Sequence, residues 1–246
     1  MMSERLYVLG TPVDPVDMDS ALEFVADAVK TRTSAGTILA VNPEKVFVLR
    51  QDAFLKEFFK NATLLIPDGI GIVKALKYLF GKKIRRCPGA DLMQNICKEA
   101  PKRGYKIFIY GSNEDVNLGA CEELRKRYPG IQIVGRSNGF VKQEEMDALV
   151  QRINDSKADI LFIAMGSPKQ EKWMSQYLSS LTTVKLCQGI GGTLDTIVGT
   201  VKRAPIFWQK LGLEWFYRLL CQPSRFKRQL RCFRFAAEVF YIKIFG

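Results

Sequence analysis

Residues 61–71 have the sequence NATLLIPDGIG, in which a short apolar run is followed by a proline, an aspartate and two glycines. The apolar residues 64–66 are typical of a buried strand, and Pro67 is predicted to end it. A helix is then predicted over residues 70–80. A strand that turns directly into a helix is the repeating unit of α/β proteins, so this stretch indicates that fold class.

Asp68 lies at the turn between that strand and that helix, and two interpretations of it remain open. A carboxylate at the end of a buried strand, beside Gly69 and Gly71 that let backbone approach a ligand, is typical of a general base. Aspartate is also one of the best helix N-caps, and a cap alone would explain the position. These eleven residues by themselves favour the cap, so the rest of the chain decides between the two.

The rest of the chain alternates strand-like and helix-like segments in the same way. Strands are predicted over residues 6–9, 37–41, 63–66, 106–110, 131–134, 159–165 and 184–188. Helices are predicted over residues 19–31, 44–60, 70–80, 90–100, 114–128, 143–154 and from Lys169, with Pro168 at the first helical position. Such alternation predicts an α/β fold, a mostly parallel Rossmann-like sheet covered by helices.

Near Val201 the pattern changes to aromatic and basic helices without strands. We therefore predict an α/β catalytic domain over residues 1–201 and a C-terminal helical appendage over residues 202–246. The appendage holds ten Lys and Arg residues against two Glu, a net +8 of the +12 carried by all 246 residues. The part of the chain that attracts anions is thus its C-terminal end.

The last helix of the appendage is predicted to be amphipathic. Its apolar stripe consists of Phe226, Leu230, Phe233, Ala237, Phe240 and Ile244, and Arg228, Arg231 and Arg234 fall on the other side. A basic, aromatic helix of this kind is typical of contact with an anionic membrane surface. The alternative is that the helix packs on the body of the protein. Contact between copies of the chain, that is, a homo-oligomer, is also compatible with it.

Composition excludes several mechanisms. The chain has no histidine, so catalytic triads that need imidazole and metal sites built on it are excluded. The six cysteines show no CxxC spacing, and neither a signal peptide nor an apolar run of ~20 residues is present. We therefore predict a cytoplasmic protein with reduced thiols that is not an integral membrane protein.

Candidate binding residues follow the predicted strands, where open parallel sheets bind their ligands. They are Asn42, Asp68, Gly111, Gly166, Gln170 and Gly191. Helix N-termini at such positions suit a diphosphate without a metal or cofactor. No P-loop and no complete dinucleotide fingerprint occurs, which argues against an NAD enzyme and leaves a methyltransferase open.

Several motifs occur in a fixed order along the chain. They are Asn42-Pro43-Glu44, Ile66-Pro67-Asp68-Gly69, Arg86 with Gly89 and Asp91, the run from Gly166 to Glu171 (GSPKQE), Gly191-Gly192 before Asp195, Lys202-Arg203-Ala204-Pro205, Gly212-Leu213-Glu214-Trp215, Arg218-Leu219, and Pro223 with Arg225 and Arg228. Together they resemble the WecG/TagA/CpsF glycosyltransferases (glycosyltransferase family 26) over residues 42–228. The PKQE and KRAP…GLEW segments are the most specific of them.

This resemblance implies an inverting transferase that moves a sugar from a UDP-sugar to a polyprenyl-diphosphate-linked sugar. Typical members transfer N-acetylmannosamine, or its uronic acid, onto lipid-linked N-acetylglucosamine for teichoic acid, enterobacterial-type antigen or exopolysaccharide. They work without a metal, peripherally on the cytoplasmic face of the cell membrane, and nucleic acid is not a partner.

The resemblance also implies roles for particular residues. Asp68 falls at the family's proposed base, and Asn42, Arg86 and Gln170 fall at its pocket positions. The appendage residues matching arginines thought to meet the diphosphate are Arg218, Arg225 and Arg228. One position departs from the teichoic-acid branch, because Ala40 stands where that branch has a threonine, which leaves the donor sugar open.

Two other classes of protein remain as alternatives. A basic tail also suits an RNA-binding protein or an RNA methyltransferase, although the aromatics lie mainly on one apolar helical stripe and are not interleaved with basic residues for base stacking. In a non-catalytic membrane adaptor, the candidate binding residues that follow the predicted strands would have no function.

Overall fold

The fold is that of a computed structural model that describes residues 4–201, 204–205, 207–208, 214–221 and 226–245. Of residues 215, 218, 221 and 226–229 it describes the backbone alone.

The centre of the protein is a six-stranded, all-parallel sheet. Its strands are β3 (Gly36–Val41), β4 (Leu64–Pro67), β5 (Lys106–Gly111), β6 (Gln132–Ser137), β7 (Ile160–Ala164) and β8 (Leu186–Gly189). They lie in the order β4-β3-β8-β7-β5-β6, and every pair of neighbours is parallel. All five residues of β7 are buried, as its apolar sequence predicts. The predicted α/β fold with a parallel, Rossmann-like sheet is confirmed.

A small hairpin precedes this sheet. It consists of β1 (Leu6–Val8) and β2 (Thr11–Val13), which pair antiparallel. The prediction of a single strand over residues 6–9 was therefore wrong in extent. The chain turns at Leu9 and Gly10, which both have positive φ, and β2 carries Pro12, which weakens the strand pattern in the sequence.

Helices cover both faces of the sheet. They are α1 (Met18–Thr31), α2 (Pro43–Gln51), α3 (Ala53–Lys60), α4 (Ile70–Phe80), α5 (Gly89–Arg103), α6 (Glu114–Arg127), α7 (Met146–Asp155), α8 (Lys169–Tyr177), α9 (Thr193–Val198), α10 (Glu214–Cys221) and α11 (Phe226–Phe245). Short 3₁₀ turns, Gln143–Glu145 and Leu178–Ser180, precede α7 and follow α8. The core has two layers. Helices α2, α3, α4, α7 and α8 pack on one side of the sheet, and α1, α5, α6 and α9 pack on the other.

Three local predictions differ from the structure. One helix was predicted over residues 44–60, but Asp52 ends α2 and its side chain caps α3 by accepting a hydrogen bond from the Leu55 N–H at 3.0 Å. Pro168 stands at the N-cap of α8, not at the first helical position. The six-residue helix α9 was not predicted, because so short a segment has too few residues to show a helical period.

The terminal helix α11 packs on the body, but by the face opposite to its apolar stripe. Phe235 and Val239 are buried in the core layer that contains α2 and α4, with Phe235 only 2% exposed. The stripe residues Leu230 and Phe233 are 50% and 64% exposed. Spacing shows which residues share a helix face, but the body selects the face that it contacts.

Ion pairs join the charged face of α11 to the body. Glu238 accepts a hydrogen bond from the Arg50 guanidinium at 2.7 Å, and Arg231 lies 3.8 Å from Glu44. Both pairs join α11 to α2, and Phe235 adds apolar burial worth roughly 2 kcal/mol between them. In the part of the chain that the structure describes, no helix is long and apolar enough to cross a membrane.

Candidate active site

A cavity of about 1410 Å³ opens at the carboxyl ends of β3, β4 and β8 and continues between α4 and α11. The residues predicted from sequence that line it are Asn42, Asp68, Arg86, Gln170 and Gly191. They come from five different segments of the chain, so the structure places at one site residues that the sequence spreads over 150 positions. The location at strand carboxyl ends is the usual one for ligands of open parallel sheets.

Asp68 directly follows β4, and its N–H donates a hydrogen bond to the Val41 carbonyl oxygen of β3 at 3.0 Å. The N-cap residue of α4 is Gly69, and no side chain caps it. The interpretation of Asp68 as a helix cap is therefore wrong. Asp68 lines the cavity, and its role as a base stays a prediction.

The glycines around Asp68 have a packing role. A Cβ built on Gly69 would lie 2.8 Å from Pro43 Cδ, and one on Gly71 would lie 2.7 Å from Pro43 Cγ. The absence of side chains at both positions lets the start of α4 pack closely against the start of α2. Because both glycines also line the cavity, this close packing brings Asp68 and Asn42 to the same wall.

Asn42 is the N-cap of α2, and its Oδ1 accepts a hydrogen bond from the Lys45 N–H at 2.9 Å. Among the residues that the structure describes, its side-chain nitrogen donates to no protein group, and the residue lines the cavity. The cap fixes the amide, so its remaining donor is held in a constant position. Asn42 therefore combines a structural cap with a preorganised hydrogen-bond donor.

Gln170 lies in the first turn of α8 and is 7% exposed. Its Oε1 accepts a hydrogen bond from the Gly191 N–H at 3.2 Å. A Cβ at Gly189 would collide with the Gln170 Nε2, so glycine at that position is required for this side chain to lie across the end of β8. Gln170 thus links the loop after β7 to the loop after β8.

Two residues next to these amides form a buried ion pair that sequence reasoning missed. The Lys45 Nζ lies 3.4 Å from Glu171 Oε1 and 2.7 Å from Ser167 Oγ. The side chains of Lys45 and Glu171 are 13% and 2% exposed. The sequence shows Glu171 only as the last residue of the GSPKQE run. Its actual partner lies 126 residues away, a separation that carries no sequence signal.

Arg86 meets the appendage inside the cavity. Its Nη1 lies 3.6 Å from Glu214 Oε2, and both side chains are mostly buried. The neighbouring Arg85 turns away, toward Asp19 at 2.7 Å. The loop lysines Lys82 and Lys83 are exposed and do not line the cavity, as expected for a solvated loop. Glu214 is therefore a site residue that the sequence showed only as part of the GLEW segment.

The two remaining strand-end glycines do not line this cavity. A Cβ at Gly111, where φ is +118°, would lie 2.6 Å from the Ala164 carbonyl carbon, and Gly166 has a φ of +72°. Backbone geometry therefore accounts for both glycines, and their contact with a substrate stays a prediction. The side chains of Arg218 and Arg228, and the whole of Arg225, lie outside the described residues.

The Cys87 thiol, next in sequence to the cavity residue Arg86, is not a nucleophile. Burial, with added repulsion from the carboxylates of Asp68, Asp17 and Asp91, raises the pKa of Cys87 to about 12. The thiol is therefore protonated at neutral pH. In the described ranges no three Cys, Asp or Glu side chains are grouped as metal ligands. Besides its carboxylates, the basic side chains that line the cavity are Lys45, Lys74, Lys77, Arg86 and Lys243.

A parallel α/β sheet with a large cavity at its strand ends, lined by carboxylates, basic side chains and two amides, places the protein in the class of Rossmann-like α/β proteins with a ligand site at the sheet edge. The chain matches the family model of the glycosyl transferase WecG/TagA/CpsF family over residues 6–245. Because the match covers nearly the whole chain, the protein belongs to this family. It is a glycosyltransferase of cell-surface polysaccharide synthesis.

Proposed function

We propose that the protein is an inverting glycosyltransferase that uses a UDP-sugar and a polyprenyl-diphosphate-linked acceptor. The donor sugar would resemble N-acetylmannosamine, and the product would serve teichoic acid, enterobacterial-type antigen or exopolysaccharide synthesis. The observation that carries the proposal is the common wall shared by Asp68, Asn42 and Gln170 in a cavity large enough for two substrates. Family membership favours this reaction over the RNA-binding and RNA-methyltransferase alternatives.

In this reaction Asp68 takes the proton of the acceptor hydroxyl. The freed oxygen forms a bond to the anomeric carbon of the donor while the bond from that carbon to the UDP oxygen breaks. Attack from the face opposite the leaving group inverts the anomeric centre. A carboxylate is the natural base here, because the chain contains no histidine.

The departing UDP carries the negative charge that develops. Arg86 lines the cavity and would stabilise that charge together with appendage arginines Arg218, Arg225 and Arg228, which the family resemblance assigns to the diphosphate. The guanidinium group forms paired hydrogen bonds with phosphate oxygens and can replace a divalent cation in this task. Asn42 and Gln170 would orient the donor sugar through their fixed amides.

The acceptor would be reached at the cytoplasmic face of the cell membrane by peripheral contact. The exposed residues of α11 that support this are Leu230, Phe233, Phe240, Tyr241, Ile244 and Phe245. An exposed apolar stripe with several aromatic rings suits a bilayer surface, where the rings enter the interface. The predicted boundary near Val201 would then separate a catalytic body, residues 1–201, from this membrane-contacting appendage.

The proposal is tested by screening UDP-sugars for UDP release with N-acetylglucosaminyl diphosphate farnesyl as acceptor. We expect release to depend on the acceptor, to survive EDTA and to give a product whose new glycosidic bond has inverted configuration. Retained configuration or loss of turnover in EDTA would reject the mechanism. Co-sedimentation with phosphatidylglycerol vesicles, compared with a gel shift on mixed RNA, tests the membrane against the nucleic-acid alternative.

A further inference from the structure

The cavity does not end at the strand ends but continues into a trough between two helices. The α4 wall carries Lys74, Lys77 and Tyr78, spaced so that they share one helix face. The α11 wall carries Cys232, Ala236, Phe240 and Lys243, which also share one face. We call this region the α4–α11 trough. It joins the Asp68 region directly, because α4 begins two residues after Asp68.

The trough contains an aromatic pair. The rings of Tyr78 and Phe240 stack with centroids 6.3 Å apart and an interplanar angle of 9°, and both remain partly exposed. The helices approach each other near their junction with the body, where a Cβ on Gly71 would make an ordinary van der Waals contact, at 3.6 Å, with a ring carbon of Phe235. An apolar chain laid along this trough would therefore cover ring surface that now faces solvent.

Three amines lie beside those rings. Lys74, Lys77 and Lys243 are exposed, and none forms an ion pair with a carboxylate in the described ranges. Three uncompensated cations that line one cavity attract an anion. A sugar by itself needs neither these charges nor the rings, whereas a phosphate ester of a hydrocarbon chain needs both.

We propose that the α4–α11 trough binds the diphosphate and the first isoprene units of the lipid-linked acceptor. This inference rests on the proposed function. Lys74 lies one helical turn, about 6 Å, beyond Ile70 at the start of α4. That separation leaves room for the acceptor sugar between the Asp68 carboxylate and a phosphate held by Lys74 and Lys77. The isoprene chain then continues past Tyr78 and Phe240 toward the exposed end of α11.

The position of the trough favours the acceptor over a membrane phospholipid. A phospholipid headgroup would need only surface charge, but the trough opens into the cavity that holds Asp68, Asn42 and Gln170. Continuity with the base is what a lipid-linked acceptor requires, since its hydroxyl and its phosphates belong to one molecule. The donor occupies the strand ends in this arrangement, so the two substrates enter from opposite sides of Asp68.

The first test removes the amines. Lys74→Gln/Lys77→Gln is compared with Lys82→Gln/Lys83→Gln, which removes the same charge just beyond α4 at residues that do not line the cavity. With N-acetylglucosaminyl diphosphate farnesyl, we expect the first variant to raise the acceptor KM about tenfold or more. The KM for the UDP-sugar should not change, and the control variant should behave as the wild type.

The second test removes the rings. Tyr78→Ser/Phe240→Ser should raise the KM for the farnesyl acceptor about fivefold or more, because burial of the chain on the rings is lost. The KM for an acceptor with a methyl group in place of farnesyl should stay as in the wild type. Equal effects on both acceptors, or lysine variants that match their control, would overturn the inference.

Calorimetry with farnesyl diphosphate separates this inference from the proposed function. If the wild-type chain binds farnesyl diphosphate and Lys74→Gln/Lys77→Gln does not, the inferred binding site in the trough is supported, even if no sugar is transferred. If the wild type transfers sugar normally but the lysine and ring variants leave the acceptor KM unchanged, the inference about the trough is overturned and the proposed function stands. Lysine variants that lose only their binding to phosphatidylglycerol vesicles would also overturn it, in favour of a membrane contact.

Discussion

The Lys45 Nζ lies 3.4 Å from the Oε1 of Glu171, and this buried ion pair joins the first turn of α2 to the first turn of α8. Asn42 caps α2, and Gln170 lies in the first turn of α8. The pair therefore fixes the separation of the two amides that line the cavity. Lys45 and Glu171 are positioning residues in this view, acting through their neighbours.

Breaking this pair should destabilise the protein. Lys45→Met leaves the Glu171 carboxylate buried without its cation, so we expect the free energy of unfolding to fall by about 3 kcal/mol. The double variant Lys45→Met/Glu171→Gln removes both charges and should lose only about 1 kcal/mol. Urea denaturation measures both, with Lys56→Met, an exposed lysine of α3, as the control.

The same double variant tests the positioning role. If the pair aligns Asn42 and Gln170, the stable double variant should show a raised KM for the UDP-sugar, about fivefold to tenfold, with kcat less affected. If the double variant folds normally and its kinetics are unchanged, the Lys45–Glu171 pair contributes to stability and has no positioning role.

Asp68→Asn tests the base. The amide keeps the size of the side chain but takes up no proton, so we expect turnover to fall at least ~100-fold while UDP binding is retained. Calorimetry with UDP and a UDP-release assay measure the two quantities. The control is Glu44→Gln, which changes another cavity carboxylate, one that pairs with Arg231. Near wild-type turnover of Asp68→Asn, or an equal loss in both variants, contradicts the assignment.

The sequence predicts those parts of the structure that depend on local chemistry. The bounds of α4 match the prediction, because Gly81 ends the helix in a left-handed conformation. The central strand β7 was recognisable from its unbroken apolar run. The site residues could be assigned to one edge of the sheet, because parallel strands bring their carboxyl ends together.

The parts that sequence did not predict depend on contacts between distant residues. Lys45 meets Glu171, and Arg86 meets Glu214, across more than 120 positions in each case. The buried face of α11 is a second example, because the partners of that face, the core around Phe235 and Val239 and Arg50 on α2, lie far away in the sequence. Spacing within one segment contains no information about such partners.

Glu214→Gln tests how the appendage acts on Arg86. The carboxylate lies 3.6 Å from the guanidinium, so a diphosphate that binds Arg86 must compete with it. Removing the negative charge should lower the Kd for UDP, about threefold to tenfold, measured by calorimetry at fixed ionic strength. Glu144→Gln, an exposed residue outside the cavity, is the control. A raised Kd would indicate that Glu214 orients Arg86 for the substrate.

The docking of α11 should depend on pH through Glu238. Burial opposes its ionisation, but hydrogen bonds from Arg50 and Arg234 hold the pKa of this carboxyl below its usual value. A lowered pKa in the folded state gives stability that is complete above the unfolded pKa, roughly 4.3, and is lost as the pH falls below it. We therefore expect constant protection of α11 from neutral pH to about pH 5, and loss at lower pH.

Hydrogen exchange of residues 226–245 measures this protection. Glu238→Gln should lower the protection of α11 from exchange already at neutral pH. In this variant the protection should not fall further when the solution is acidified. Glu123→Gln breaks a pair with Arg127 inside α6, so it should leave exchange in α11 unchanged. An α11 that stays equally protected in wild type and Glu238→Gln would show that Phe235, Val239 and the Arg231–Glu44 pair hold the helix without Glu238.

Ala40→Thr tests the choice of donor sugar. Ala40 lines the cavity two residues before Asn42. On its other side it lies close to α5, because a Cβ built on Gly89 would be 3.6 Å from the Ala40 Cβ. A hydroxyl added at residue 40 therefore finds its free space mainly in the cavity. One new hydrogen bond, worth roughly 1 kcal/mol, should raise kcat/KM for UDP-N-acetylmannosamine about fivefold. Ala40→Val adds the same bulk without the hydroxyl and should not show the gain. If threonine and valine change donor preference alike, the hydroxyl plays no part, and the effect of residue 40 on the donor comes from its size.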